Sequence, residues 1–314
     1  MNPFRRLVRA TMILVALASP LSAQTAAPTA KLPEGVKRVL FLGDSITYAG
    51  QYTAYVETYF LTRDKAARYE FLDLGLPSET VSGLSEPGHA GGKFPRPDLH
   101  ERLARVLPQV KPDLVFACYG MNDGIYLPFD ETRFKAYQDG CTWLRGEVLK
   151  TGAKFASITP PVHDAVKGGK PGYNDVLTRY SDWLLSQKPT GWPVVDLHGP
   201  MTAYLEAKRK DDPAFFLAPD GVHPADEGHW VMAREILKFL GAKDVADVKS
   251  ATDMAAVHPH GAEILKLVLQ SENLLKDAWL TATGHQRPGM AKGLPLDQAE
   301  AKAKEIAKQI EALQ

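Results

Sequence analysis

The chain is short of several things, and each shortage excludes something. Among its 314 residues are only two cysteines, Cys118 and Cys141. A disulfide framework is therefore not what holds it together, and a chain of this length can bury a sizeable core without one. Cys118 lies inside an apolar run, which favours burial as a small hydrophobe, although a bridge to Cys141 is chemically open in an oxidising compartment. Net charge is missing too: Lys plus Arg and Asp plus Glu each total 37. A balanced chain exerts no global pull on nucleic acid or on an anionic membrane surface. Its hydrophobic content, 45%, is ordinary for a globular protein. There is no His-Glu-x-x-His helix and no paired-cysteine cluster, and His258-Pro259-His260 alone is a poor ligand set. A phosphate-binding glycine loop, a dinucleotide fingerprint and internal repeats are likewise missing. The expectation is a protein with no metal, no cofactor, no nucleic-acid partner and no stable membrane association. The oligomeric state is not legible.

The N-terminus has a pattern of its own. Arg5, Arg6 and Arg9 precede a short apolar run from Thr11 to Leu21, and Ser22-Ala23-Gln24 offers a small-residue cleavage site. That order reads as a secretory signal peptide over 1–23. The run falls well short of the roughly 20 residues that span a bilayer, and Pro20 interrupts it. No cysteine follows to carry a lipid. Residues 24–35, rich in Ala, Thr and Pro, read as a flexible lead-in. The expected location is outside the cytoplasm, in the periplasm.

Beyond the lead-in, continuous apolar runs alternate with segments of helical spacing. The runs are 38–42, 69–74, 114–119, 155–159 and 193–197; the helical segments include 52–61, 99–106, 134–149 and 173–185. Strands that are apolar on both faces belong in a parallel sheet covered by helices. The pattern predicts an α/β fold: a three-layer αβα, flavodoxin-like parallel sheet of about five strands, over 36–243. Trp230 to Leu240 closes it as a helix, with Gly241 as its C-terminal cap. Residues 244–314 read as a helical C-terminal appendage. Ile264, Leu265, Val268 and Leu269 form one stripe; Ala299, Ala303, Ile306, Ile310 and Leu313 form another, after an Asp297–Glu300 capping box. The segment 279–287 between them reads as a packing elbow.

Three short blocks carry the chemistry. Gly43-Asp44-Ser45-Ile46-Thr47 follows the first strand, Gly120-Met121-Asn122-Asp123 the third, and Asp220-Gly221-Val222-His223-Pro224 comes a hundred residues later. Together they supply a hydroxyl nucleophile, an amide donor, a base and a carboxylate to orient that base. This is the equipment of ester hydrolysis through an acyl-enzyme. Ser45 and Asn122 both lie just past the carboxyl ends of strands, where such sheets bind ligands. His100, His229, His258 and His260 read as solvated or capping residues.

On these blocks the chain resembles the GDSL, or SGNH, hydrolase superfamily, over roughly 36–241. The resemblance implies Ser45 as nucleophile, His223 as general base and Asp220 as its partner. It implies an oxyanion hole from the Ser45 N–H, the Asn122 amide and one further backbone N–H. Asp44, Gly120 and Asp123 would support these groups. The family's usual glycine is replaced: in Leu74-Gly75-Leu76-Pro77-Ser78-Glu79-Thr80, aligning Glu79-Thr80 with the family's acidic-Thr pair puts Ser78 at the glycine position. Gly75 and Gly83 are the alternatives. The Gly- and Pro-rich stretch 85–97, with His89, Phe94 and Arg96, is a candidate substrate wall. The implied activity is hydrolysis of a small-molecule or glycan ester, O-acetyl on carbohydrate. A lipase, lysophospholipase or thioesterase on the same residues is the runner-up, and an inactive binding module is the alternative of another class.

Overall fold

The five apolar runs pair as parallel strands: β1 (Arg38–Gly43), β2 (Glu70–Asp73), β3 (Leu114–Cys118), β4 (Lys154–Ile158) and β5 (Val194–Val195). Their order is β2-β1-β3-β4-β5, in a computed structural model that describes residues 29–66 and 68–314. The signal-peptide segment 1–23 and residues 24–28 of the lead-in lie outside the described residues. The strands are buried along almost their whole length, as their unbroken apolar character requires.

The helices are α1 (Ser45–Ala49), α2 (Gln51–Arg63), α3 (Leu99–Val110), α4 (Glu131–Lys150), α5 (Ala165–Gly168), α6 (Tyr173–Ser186), α7 (His198–Asp211), α8 (Asp226–Phe239), α9 (Ala251–Ala255), α10 (Gly261–Thr283) and α11 (Leu296–Leu313). Right-handed crossovers put α2 on one face of the sheet and α3, α4 and α6 on the other; α8 packs beside α2. The strand order reverses at β1, since β2 lies on one side of it and β3 on the other. The crevice above the carboxyl ends of β1 and β3 is the topological switch point, the usual ligand position of such a sheet.

Several expectations need correction. The Asp297–Glu300 box does not form: α11 starts at Leu296 with Pro295 before it and no side-chain cap, so Asp297 falls inside the first turn. There it complements the positive end of the helix instead. His229 is neither solvated nor a cap. It is buried, its ring 6.1 Å from that of Tyr52, and burial pushes its pKa down to about 3. Cys118, by contrast, is buried as its apolar run implies, and both it and Cys141 are free.

The C-terminal helices pack on the α2 side and on the edge strand β2. Ile264, Leu267, Val268, Ile306 and Ile310 form a small second core against Ala54 of α2. Met254, Trp279 and Leu280 join the main core. Covering an edge strand also removes a template for association with another chain.

Candidate active site

Ser45 opens α1 directly behind β1. Asp44 braces the turn by accepting the Ile46 N–H at 2.9 Å, and burial raises its carboxyl to about 7. The Ser45 hydroxyl lies 2.8 Å from Nε2 of His223, whose Nδ1 lies 2.7 Å from Oδ2 of Asp220. Asp220 Oδ1 accepts the backbone N–H groups of Val222 (2.9 Å) and His223 (2.8 Å). Burial alone would raise the Asp220 carboxyl. The His223 hydrogen bond, the two N–H groups and the imidazole's charge outweigh it and hold the group below the usual carboxylate range. An ionised Asp220 draws the imidazole proton onto Nδ1. Nε2 is then free to accept from Ser45. The side chains of Asp220 and His223 are 55% and 48% exposed, so this edge of the site is open to water and to a large substrate.

The opposite edge is buried. Asn122 follows β3 after Gly120, which has φ +128° and where a Cβ would lie a tight 3.0 Å from the Pro160 ring. Arg96 donates from Nη1 to Asn122 Oδ1 at 3.0 Å, and Tyr126 donates its hydroxyl to the same oxygen at 3.3 Å. A guanidinium only donates, so this contact fixes which end of the amide is oxygen. Nδ2 is thereby turned to the other side, where it donates to the Glu79 carbonyl at 3.2 Å and keeps a second hydrogen. Asp123, its carboxyl raised by burial to about 6, accepts the Ser82 N–H at 2.9 Å and ties this loop to the one after β2.

That loop carries Ser78. Glu79 N–H closes a turn onto Leu76 C=O at 3.0 Å, with Pro77 and Ser78 as the central pair. Ser78 has φ +69°, the third-position requirement of a type II turn and an arrangement that suits glycine. For serine it costs on the order of 1–2 kcal/mol. Neither the Ser78 N–H nor the Ser45 N–H donates to another described residue. Gly75 is committed elsewhere: its N–H donates to Asp73 Oδ1 at 2.8 Å, and a Cβ there would lie 2.3 Å from the Tyr48 nitrogen. Gly83 packs against the Asp98 carboxylate. Glu79 anchors the turn from beneath. It accepts two hydrogen bonds from Arg102, at 2.6 and 2.7 Å, and one from Tyr119 at 2.6 Å, all buried.

The three candidates on the 85–97 loop separate. Arg96 is buried and fully engaged, with Nε and Nη2 on the Glu86 carboxylate (2.7 and 2.8 Å) and Nη1 on Asn122. It holds the amide rather than facing a substrate. Its side chain turns inward because the bidentate Glu86 pairing is available there. His89 packs edge-on to Phe94, with centroids 5.4 Å apart, and Phe94 lines a cavity of about 200 Å³ with Leu76, Arg96 and Arg287. Sequence reasoning missed Glu86, Tyr126, Arg102 and Tyr119 as parts of the site. Only Glu79 had a signal, as half of the acidic-Thr pair.

The fold is an α/β one, a five-stranded parallel sheet, with the Ser45–His223–Asp220 contact chain and the buried Asn122 amide beyond the carboxyl ends of its strands. The chain belongs to the GDSL-like lipase/acylhydrolase family, whose sequence model matches residues 41–231, and it is a carboxylic ester hydrolase. No curated protein matches the sequence. Among solved structures, a gut microbial diltiazem-metabolizing enzyme is similar (TM-score 0.54, 22% identity, over 69% of this chain and 49% of that one). This chain thus spans about half the length of that enzyme. The acetylxylan esterase Axe2 from Geobacillus stearothermophilus is similar as a catalytic mutant (TM-score 0.53, 21% identity, 68% of this chain, 97% of that one). A second Axe2 structure gives TM-score 0.51 and 22% identity, over 66% of this chain and 95% of that one. At these identities the likeness is one of fold.

Proposed function

We propose that the protein is an exported serine esterase that removes O-acetyl groups from carbohydrate through an acyl-enzyme. The Ser45–His223–Asp220 contact chain, at 2.8 and 2.7 Å, carries the reading. Ser45 Oγ attacks the ester carbonyl while His223 Nε2 takes its proton. The C–O bond to the alcohol breaks as His223 returns that proton to the leaving oxygen. Water then attacks the acyl-enzyme with His223 again as base, releasing acetate and restoring Ser45. The negative oxygen formed in each half is met by the N–H groups of Ser45 and Ser78 and by Asn122 Nδ2. Asp220 keeps the imidazole in the right tautomer and stabilises the imidazolium.

Three features support the acetyl and carbohydrate parts. The signal-peptide pattern would export the protein to where polysaccharides are met. The open Asp220–His223 edge accommodates a bulky alcohol. The 85–97 wall is Gly- and Pro-rich and polar, whereas a long acyl chain wants an apolar groove. The name of the structural neighbour Axe2, an acetylxylan esterase, agrees. Acetate release from a panel of acetylated glycans, beside nitrophenyl esters of increasing chain length, tests the reading. Faster turnover of acetyl than of octanoyl esters is expected. A preference that rises with chain length would favour a lipase, lysophospholipase or thioesterase.

A further inference from the structure

The C-terminal extension reaches the site at two points. Lys276 Nζ donates to the carbonyl of Tyr48 at 2.5 Å and lies 4.2 Å from the centre of its ring, while the Tyr48 hydroxyl donates to Asp277 at 2.9 Å. Tyr48 belongs to α1, the helix that begins at Ser45, so α10 grips the helix of the candidate nucleophile. Eleven residues further on, past the end of α10, Arg287 Nε donates to the carbonyl of Pro77 at 2.8 Å. Its guanidinium also sits over the Phe94 ring at 5.4 Å. The segment expected to be a packing elbow thus touches the oxyanion loop.

The carbonyl it touches matters. Pro77 C=O and Ser78 N–H belong to one planar peptide, and no described peptide is cis. In a trans peptide the two groups point in opposite directions. A donor fixed on the Pro77 oxygen therefore fixes the direction of the Ser78 N–H, and a charged donor polarises it toward being a stronger hydrogen-bond donor. This peptide is also the one that rotates between type I and type II turns. Serine at the third position favours the type I form, in which φ is negative. The observed form, with φ +69° at Ser78, runs against that preference.

We propose that Arg287 is a positioning residue for the reaction: from the C-terminal extension, it holds and polarises the Pro77–Ser78 peptide so that the Ser78 N–H faces the developing oxyanion. This rests on the esterase reading above. It makes the extension a working part of the site, with Lys276 and Asp277 registering it to α1. The replacement of the usual glycine by Ser78 then has a counterpart: the conformation that glycine adopts freely is here imposed from outside the loop.

The test is a double-mutant cycle on the full chain. Wild type, Arg287→Ala, Ser78→Gly and the double variant are titrated with a fluorophosphonate to count active sites, then assayed on nitrophenyl acetate. Arg287→Ala should lower kcat by about tenfold with little change in KM. That is less than the ~10²–10³ for removing a donor, because the donor remains and only its alignment is lost. With glycine at position 78 the same substitution should lower kcat less than threefold, since glycine holds the turn by itself. Arg287→Lys should recover part of the loss. If Arg287→Ala does not fold, Arg287→Gln takes its place. An unchanged kcat, or an equal loss in both backgrounds, overturns the proposal while leaving the esterase reading intact. A wild type that is neither labelled at Ser45 nor active on any ester overturns the esterase reading, and this proposal with it.

Discussion

The two edges of the site are built differently. The Asp220–His223 edge is a four-residue turn, about half exposed, whose hydrogen bonds to Asp220 span two or three residues. The Asn122 edge is buried and held mostly by partners far away in sequence: Arg96 and Glu79 on the amide, beside the nearby Tyr126, and Arg102 and Tyr119 on Glu79. On the proposed mechanism the proton transfers fall to the local, exposed element and the charge stabilisation to the buried one, where donors held in place need no reorganisation as charge develops. Substitutions should therefore divide, with the exposed edge costing activity alone and the buried edge costing stability as well.

The largest effect is expected at Ser45. Ser45→Ala should reduce turnover by roughly 10⁴-fold or more, while removal of this half-buried hydroxyl should cost about 1 kcal/mol of stability or less. Near wild-type turnover in the folded variant would end the mechanism. Next comes Glu79→Ala. It leaves the Arg102 charge buried without its partner, so chemical denaturation should register a loss of about 3–5 kcal/mol. By contrast, Asp220→Asn should lower kcat and barely move the midpoint; equal destabilisation by both would erase the difference between the edges.

Asn122→Ala follows, with kcat down by about 10²–10³ and KM little changed, because the bond forms mainly in the transition state. Steady-state kinetics on nitrophenyl acetate decides it; a rise in KM alone would make Asn122 a ground-state binder.

The smallest effect concerns pH. Burial, across the α2–α10 interface, raises Glu57 to about 8 and Asp73 to about 7, with Glu272 also pushed up. These carboxyls keep protons in the folded state that the unfolded chain has released. Their contribution is complete below the unfolded carboxylate range and is lost as pH rises through 7 and 8. The buried histidines act in the other direction, but only below about pH 6.5, where the unfolded chain would protonate them. Between pH 7 and 9 these carboxyls, Asp44 at about 7 and the buried thiols of Cys118 and Cys141, pushed up by burial, all act in one direction, and stability should fall by about 2 kcal/mol or more. Thermal melts of wild type and Glu57→Gln across that window check it. A flat wild-type profile, or an undiminished slope in the variant, would mean that the interface does not hold these protons.

What the sequence made legible was what is local. The strand runs, the order of the three blocks and the Asp220–His223 spacing were all readable because each is contained in a few consecutive residues. The α7 helix opens on Gly199-Pro200, which breaks a helical pattern read locally, although proline is tolerated in a first turn. The Arg96–Asn122, Glu79–Arg102 and Arg287–Pro77 pairs span 26, 23 and 210 residues. No local pattern announces such partners; only packing chooses them. Arg96 shows the consequence: its composition and place suggested a substrate ligand, and tertiary structure turned it inward to Glu86.

The most direct test of the central claim, that Ser45 is the nucleophile of this site, is mass spectrometry of the protein after incubation with a fluorophosphonate. The account predicts a single phosphonyl adduct on Ser45, absent in Ser45→Ala and strongly slowed in His223→Ala. An adduct on another serine, or none on a folded wild type, would contradict it.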